Sequence, residues 1–158
     1  MSALSGRVAL VTGGARGLGR AIAAALAEEG AAIHVADLDA ALAGAELPAG
    51  WTGLALDLVA EDAEARLAAH LSGLERLDVL VANAGTVPPW RRIAALDLEE
   101  WDRVFAVNVR GVALALKVAA PRLAERQGTA VLMASINGYR AHPQQALYTA
   151  SKHAVVGL

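Results

Sequence analysis

Val8-Ala9-Leu10-Val11 runs straight into Thr12-Gly13-Gly14-Ala15-Arg16-Gly17-Leu18-Gly19, and then into the alanine-rich stretch from Arg20 to Glu29. The apolar run with β-branched residues reads as a buried parallel strand, and the alanine-rich stretch as a helix. A strand, a glycine-rich turn and a helix in that order present backbone N–H groups and a helix N-terminus to a pyrophosphate. Gly13 suits the tight turn, Gly17 a close approach of backbone to phosphate, and Gly19 close packing of helix on sheet. The spacing is G-x-x-x-G-x-G, not the commoner G-x-G-x-x-G. Glycine richness alone would equally suit an ordinary strand-to-helix turn.

The alternation continues along the chain. Strands are predicted near 7–12, 31–36, 51–56, 78–82 and 129–135. Helices are predicted near 17–29, 39–45, 61–72, 98–126 and from 147 onward, with Asp102 as the place where the long one would break. Such alternation predicts an α/β fold, a doubly wound parallel sheet with right-handed crossovers and strand order 3-2-1-4-5. Residues 1–158 read as one dinucleotide-binding domain.

Two further places carry chemistry. Asp37 ends the second strand, where an acid can grip a ribose 2′-hydroxyl and repel a 2′-phosphate. Arg16, inside the glycine turn, could instead reach a 2′-phosphate, and Asp37 could simply cap the helix that follows. The acid weighs more, which favours NAD over NADP. Near the other end, Tyr148 and Lys152 are spaced to share one helix face, with Ser135 shortly before them. A free tyrosine is a poor acid–base catalyst at neutral pH, and a neighbouring ammonium favours the phenolate. Taken alone, a Tyr-x-x-x-Lys pair also suits any helix surface.

With Thr12–Gly19, Asp37, Leu56-Asp57-Leu58, Asn83-Ala84-Gly85, Asn108-Val109-Arg110-Gly111, Ser135, Tyr148 and Lys152 in order, the chain resembles the classical short-chain dehydrogenase/reductase family. The resemblance implies a cofactor site of Gly13, Arg16, Gly17, Leu18, Gly19, Asp37, Asp57, Leu58, Asn83, Ala84 and Gly85, together with Tyr148 and Lys152. It implies a catalytic tetrad of Asn108, Ser135, Tyr148 and Lys152. Tyr148 would be the acid in carbonyl reduction and the base in alcohol oxidation. Lys152 would tune Tyr148 and bond the nicotinamide ribose, Ser135 would orient the substrate oxygen, and Asn108 would hold a water leading to Lys152. An NAD-dependent oxidoreductase interconverting a secondary alcohol and a ketone follows. Its alternative is a dinucleotide-binding module without turnover. Ala82 stands where the family commonly has asparagine, which would loosen the Asn83 turn. Dimers or tetramers are implied through the apolar stretch Val104–Ala120, which burial within one chain would also explain.

Composition excludes other classes. With no cysteine there is no disulfide, thiol nucleophile or thiolate metal site. The four histidines show no metal-ligand spacing and read as packing or surface residues. Ser135 lacks a G-x-S-x-G context, which argues against a hydrolase. A net charge of −2 without a basic block argues against nucleic acid, and no apolar run reads as a membrane span or leader, leaving the cytoplasm as the expected location. A small-molecule alcohol or ketone is the expected partner. Val87-Pro88-Pro89-Trp90 either borders the substrate cleft or forms a rigid loop with its tryptophan packed on the body.

By resemblance, the family continues beyond the Tyr148 helix with a sixth strand, a segment covering the substrate and a seventh strand. The sequence stops at Leu158. It is therefore expected to be a fragment of a longer protein, or a truncated product with an exposed fifth strand.

Overall fold

The computed structural model describes residues 2–158. Five strands, β1 (Val8–Thr12), β2 (Ala32–Asp37), β3 (Thr52–Ala55), β4 (Val79–Ala82) and β5 (Thr129–Leu132), form one parallel sheet in the order β3-β2-β1-β4-β5. Between them run α1 (Gly17–Glu28), α2 (Asp39–Ala43), α3 (Ala63–Ser72), α4 (Leu98–Phe105) and α5 (Val112–Ala124), and α6 (Ala146–Val156) follows β5. This is the doubly wound fold and strand order expected from the alternation.

Strand alternation distributes the core. Leu10 and Leu80 point to one face, where they meet Leu67 and Leu71 of α3 and Ala115 and Ala119 of α5. Ala9, Val11, Ile33 and Val35 point to the other, against Ala23, Ile22 and Leu26 of α1. Both faces of the central strands are covered, so they read as unbroken apolar runs. β5 lies at a sheet edge with Thr129, Ala130 and Val131 exposed.

The long helix departs from expectation. It does not break at Asp102, which lies within α4. Asp97 starts that helix by accepting the N–H groups of Glu99 (2.9 Å) and Glu100 (3.2 Å), and both acids sit at its positive end. Between α4 and α5 the backbone widens into a π segment, Ala106–Gly111, a device found mostly at functional sites. The whole stretch Leu98–Ala124 spans 27 residues and is long and apolar enough to cross a membrane, contrary to the reading that no such run exists. The reading failed because Arg110 and Lys117 interrupt the sequence while the remaining positions keep the average high. Here the stretch packs on the sheet through Leu114, Ala115, Ala119 and Leu123. Arg110, Lys117 and Ala120 are exposed, so the segment is not apolar all round. Two short 3-10 turns, Ile93–Ala95 and Ile136–Gly138, were not anticipated.

Two polar contacts fasten the elements. Asp78, buried before β4, accepts from Arg7 Nη1 (2.8 Å), Arg76 Nε (2.7 Å), Arg76 Nη2 (2.6 Å) and the Val8 N–H (2.9 Å). The Arg76 hydrogen bonds, seconded by Arg7 and the Val8 amide, hold its carboxyl far below the ordinary carboxylate range. His34 of β2 and His70 of α3 meet with Nδ1 and Nε2 3.1 Å apart. Burial lowers the pKa of both, and at His34 the proximity of His70 adds to it. Histidines read as separate packing residues thus form one bonded pair across the sheet–helix interface.

Candidate active site

A cleft of about 790 Å³ opens at the carboxyl ends of the strands, where the strand order reverses between the neighbours β1 and β4. This is the crevice in which open α/β sheets bind ligands. Every residue expected at the cofactor lines it: Gly13, Arg16, Gly17, Leu18, Gly19, Asp37, Asp57, Leu58, Asn83, Ala84, Gly85, Tyr148 and Lys152.

The glycine turn has the form its sequence requires. Gly17 opens α1 with φ +55°, and a Cβ there would meet nothing within 4 Å, so its backbone faces open space. Gly19 is confined: an added Cβ would collide with the Gly13 carbonyl and come within 2.6 Å of Asn83 Nδ2. Arg16 holds the cap position in extended conformation and makes no side-chain cap bond. The first-turn amides of α1 are therefore left for an anion.

Asp37 is half-buried and lies just before α2. It does not cap that helix, since Leu38 occupies the cap position. Its Oδ2 accepts the N–H of Ala15 at 3.0 Å and its Oδ1 that of Leu38 at 2.9 Å. The acid is thus tied to the glycine turn itself. Asp57 is exposed in the cleft, with Oδ1 accepting the Val59 N–H at 3.0 Å. Asn83 Nδ2 donates to the carbonyls of Thr12 and Gly13, both at 3.1 Å, while Thr12 Oγ1 accepts the N–H groups of Asn83 and Ala84. Thr12 supplies bonds that keep this turn tight with Ala82 before it, and Ala82 is itself buried against Val112 and Val155.

Tyr148 and Lys152 reach the cleft together from α6, with Lys152 Nζ 5.7 Å from the Tyr148 ring centroid. Lys152 is only 4% exposed, and its Nζ donates to the Met133 carbonyl at 2.7 Å. Burial lowers its pKa. Of the other two members of the expected tetrad, Ser135 is half-buried beside the cleft and Asn108 is wholly buried. Ser135 Oγ accepts the Asn137 N–H at 3.2 Å and caps the 3-10 turn, next to the cleft-lining Met133 and Ala134. Asn108 is wholly buried in the π segment. Its Oδ1 accepts the Thr86 N–H (2.8 Å), and its Nδ2 donates to the Thr86 carbonyl (2.9 Å) and Ser151 Oγ (3.2 Å). Its side chain is engaged with protein groups on both atoms.

Sequence reasoning missed Thr86, Val107 and Met133 on the cleft wall and Ser151 behind it. The position of Thr86 directly after Asn83-Ala84-Gly85 was the one available signal. Val107 and Met133 enter only because strand ends and the π segment converge. Val87 lines the cleft, while Trp90 stacks edge-on with His142 at 5.0 Å. The loop therefore borders the cleft through Val87, while Trp90 is not packed on the body: it stays 60% exposed against the exposed His142. The loop is docked by Arg91 N–H donating to the Gln144 carbonyl at 2.8 Å.

Comparison with known proteins agrees with this geometry. Cis-1,2-dihydrobenzene-1,2-diol dehydrogenase of Pseudomonas putida is 41% identical over 98% of this chain and 59% of its own length. The sex determination protein tasselseed-2 of Zea mays is 40% identical over 98% of this chain and 49% of its own. The carveol dehydrogenase of Mycobacterium avium, solved in complex with NAD, superposes with a TM-score of 0.89 at 29% identity, covering 99% of this chain and 64% of that one. Levodione reductase gives 0.86 at 34% identity, covering 98% and 64%. The chain spans about half to two thirds of the length of the relatives it matches. The family pattern described as short chain dehydrogenase matches residues 7–158, and with the parallel sheet and cleft above it this chain belongs to the classical short-chain dehydrogenase/reductase family.

Proposed function

We propose that the protein is an NAD-dependent oxidoreductase that interconverts a secondary alcohol and a ketone, with Tyr148 as its acid–base group. The observation that carries this reading is the arrival of Tyr148 and Lys152 in the same cleft as the glycine turn and Asp37. The residues present fit NAD: first-turn amides without side-chain partners, open space over Gly17, and carboxylates of Asp37 and Asp57 spaced along the cleft for ribose and adenine. When bound, NAD supplies the hydride acceptor or donor.

Tyr148 takes the hydroxyl proton during oxidation and returns one to the carbonyl oxygen during reduction, so one proton leaves or joins the substrate along with each hydride. Lys152 stands beside the ring, its Nζ 5.7 Å from the centroid. Ser135 orients the substrate oxygen, its neighbours Met133 and Ala134 forming that wall of the cleft. Asn108 holds the Thr86 segment against α6. Residues 1–158 act as one dinucleotide-binding domain, and the partly exposed stretch Val104–Ala120 is where a second copy would pack. NAD is preferred over NADP because the Asp37 carboxylate faces the adenine-ribose end of the cleft.

The test is turnover by the full-length protein with a panel of secondary alcohols and NAD, alongside NAD titration of residues 1–158. Turnover with NAD supports the reading. Tight NAD binding with no turnover across the panel would leave a binding module instead.

A further inference from the structure

Ser151 is wholly buried, and both hydrogen-bonding capacities of its hydroxyl are used. Its Oγ donates to the Tyr148 carbonyl at 2.8 Å and accepts from Asn108 Nδ2 at 3.2 Å. The roles are fixed by Asn108. That amide is clamped by Thr86, whose N–H needs Oδ1 and whose carbonyl needs Nδ2, so only an N–H is left to face Ser151. A continuous run of hydrogen bonds therefore joins the segment after Gly85, the π segment and the backbone of Tyr148.

Apolar docking of α6 rests on the buried Leu147 and Val155, and Lys152 Nζ adds a bond to the Met133 carbonyl at 2.7 Å near the same level of the helix. Val155 joins a small cluster with Ala82 and Val112. Apolar contacts of this kind are non-directional and tolerate sliding or rotation, whereas a buried amide–hydroxyl bond does not. One residue of slip along α6 is a rise of about 1.5 Å. A misplacement of about 1 Å is enough to cost on the order of a hundredfold in rate.

We infer that Ser151 is a positioning residue: through Asn108 it fixes the height and rotation of α6, and with them the place of Tyr148 and Lys152 in the cleft. The rate readout rests on the function proposed above; the structural readout does not. Ser151→Ala leaves an Asn108 N–H without a partner in a site closed to water. Ser151→Thr keeps the hydroxyl. Ser151→Cys keeps the volume but offers a weak acceptor.

The test exploits the two tyrosines of the chain, Tyr148 and the 74%-exposed Tyr139. In protein labelled with ring-¹³C tyrosine, Ser151→Ala and Ser151→Cys should move or split the Tyr148 resonance, leave that of Tyr139 in place, and Ser151→Thr should restore it. Affinity for ADP-ribose, which reads the adenine end, should stay within about twofold, while kcat of the full-length enzyme falls roughly tenfold or more with KM nearly constant. An unmoved Tyr148 resonance in both Ala and Cys variants overturns the inference. So does a uniform loss, with Tm, ADP-ribose affinity and both tyrosine signals falling together in every variant, Thr included. A wild-type protein without turnover would defeat the functional reading yet leave the resonance test standing.

Discussion

The carboxylate of Asp37 accepts the backbone N–H of Ala15 at 3.0 Å, so the acid that ends β2 also holds the glycine turn that begins α1. Two contributions are thereby combined in one side chain: its charge, which would select against a 2′-phosphate, and its hydrogen bonds, which shape the turn.

The first prediction separates those contributions. Wild-type protein should bind NAD(H) at least about tenfold more tightly than NADP(H), about 1.4 kcal/mol. Asp37→Asn keeps an acceptor for Ala15 but turns its NH2 toward the Leu38 N–H and loses the charge, so it should narrow that preference with a modest fall in Tm. Asp37→Ala should narrow it and also weaken both dinucleotides, with exposed Arg16 then free to favour the phosphate. Titration of both cofactors by fluorescence checks this; equal affinities in the wild type would remove Asp37 from the selecting role.

Tyr148→Phe keeps the ring against Lys152 and removes the proposed proton carrier. In a full-length enzyme, turnover should fall about a hundredfold or more with NAD binding retained. Near-normal turnover in this variant would sink the acid–base assignment.

The His34–His70 pair sets a stability step in mild acid. Both folded-state pKa values lie below the ordinary 6.5, so the unfolded chain takes up protons first as pH falls. Stability contributed by the neutral pair is complete above about pH 6.5 and is lost progressively below it. Urea unfolding from pH 7.5 to 5 should show this decline, and His70→Gln should flatten it. An unchanged slope in the variant would show that the pair does not report on folding.

Asp78 gives a second, lower step. Its folded pKa is depressed, so its contribution is complete above the unfolded value of 3.8 and drains away as pH falls further. The carboxyl is buried, but Arg7 and Arg76 are partly exposed, which discounts the effect. Asp78→Asn should cost about 2–3 kcal/mol at pH 7, and the penalty should shrink toward pH 3. Calorimetry at the two pH values measures it, and a penalty independent of pH would point to lost packing instead of lost charge.

The strand–turn–helix alternation, the sheet order and the shared α6 face of Tyr148 and Lys152 were all legible from residue order alone. These follow from apolar periodicity, from glycine where backbone must turn or approach closely, and from a four-residue spacing on a helix. What those residues touch was settled by packing. Asp37 bonds Ala15 because β2 and the glycine turn end side by side, and Asn108 faces Ser151 because a π segment widens the long helix at that point. His34 and His70, far apart in sequence, meet only when α3 packs across β2. Asp78 reads as one more charge until the starts of β1 and β4 bring Arg7 beside it. Local pattern fixes an element's type, because it depends on neighbours along the chain. The partners of a side chain depend on residues brought close by folding, and no spacing in the sequence encodes them directly.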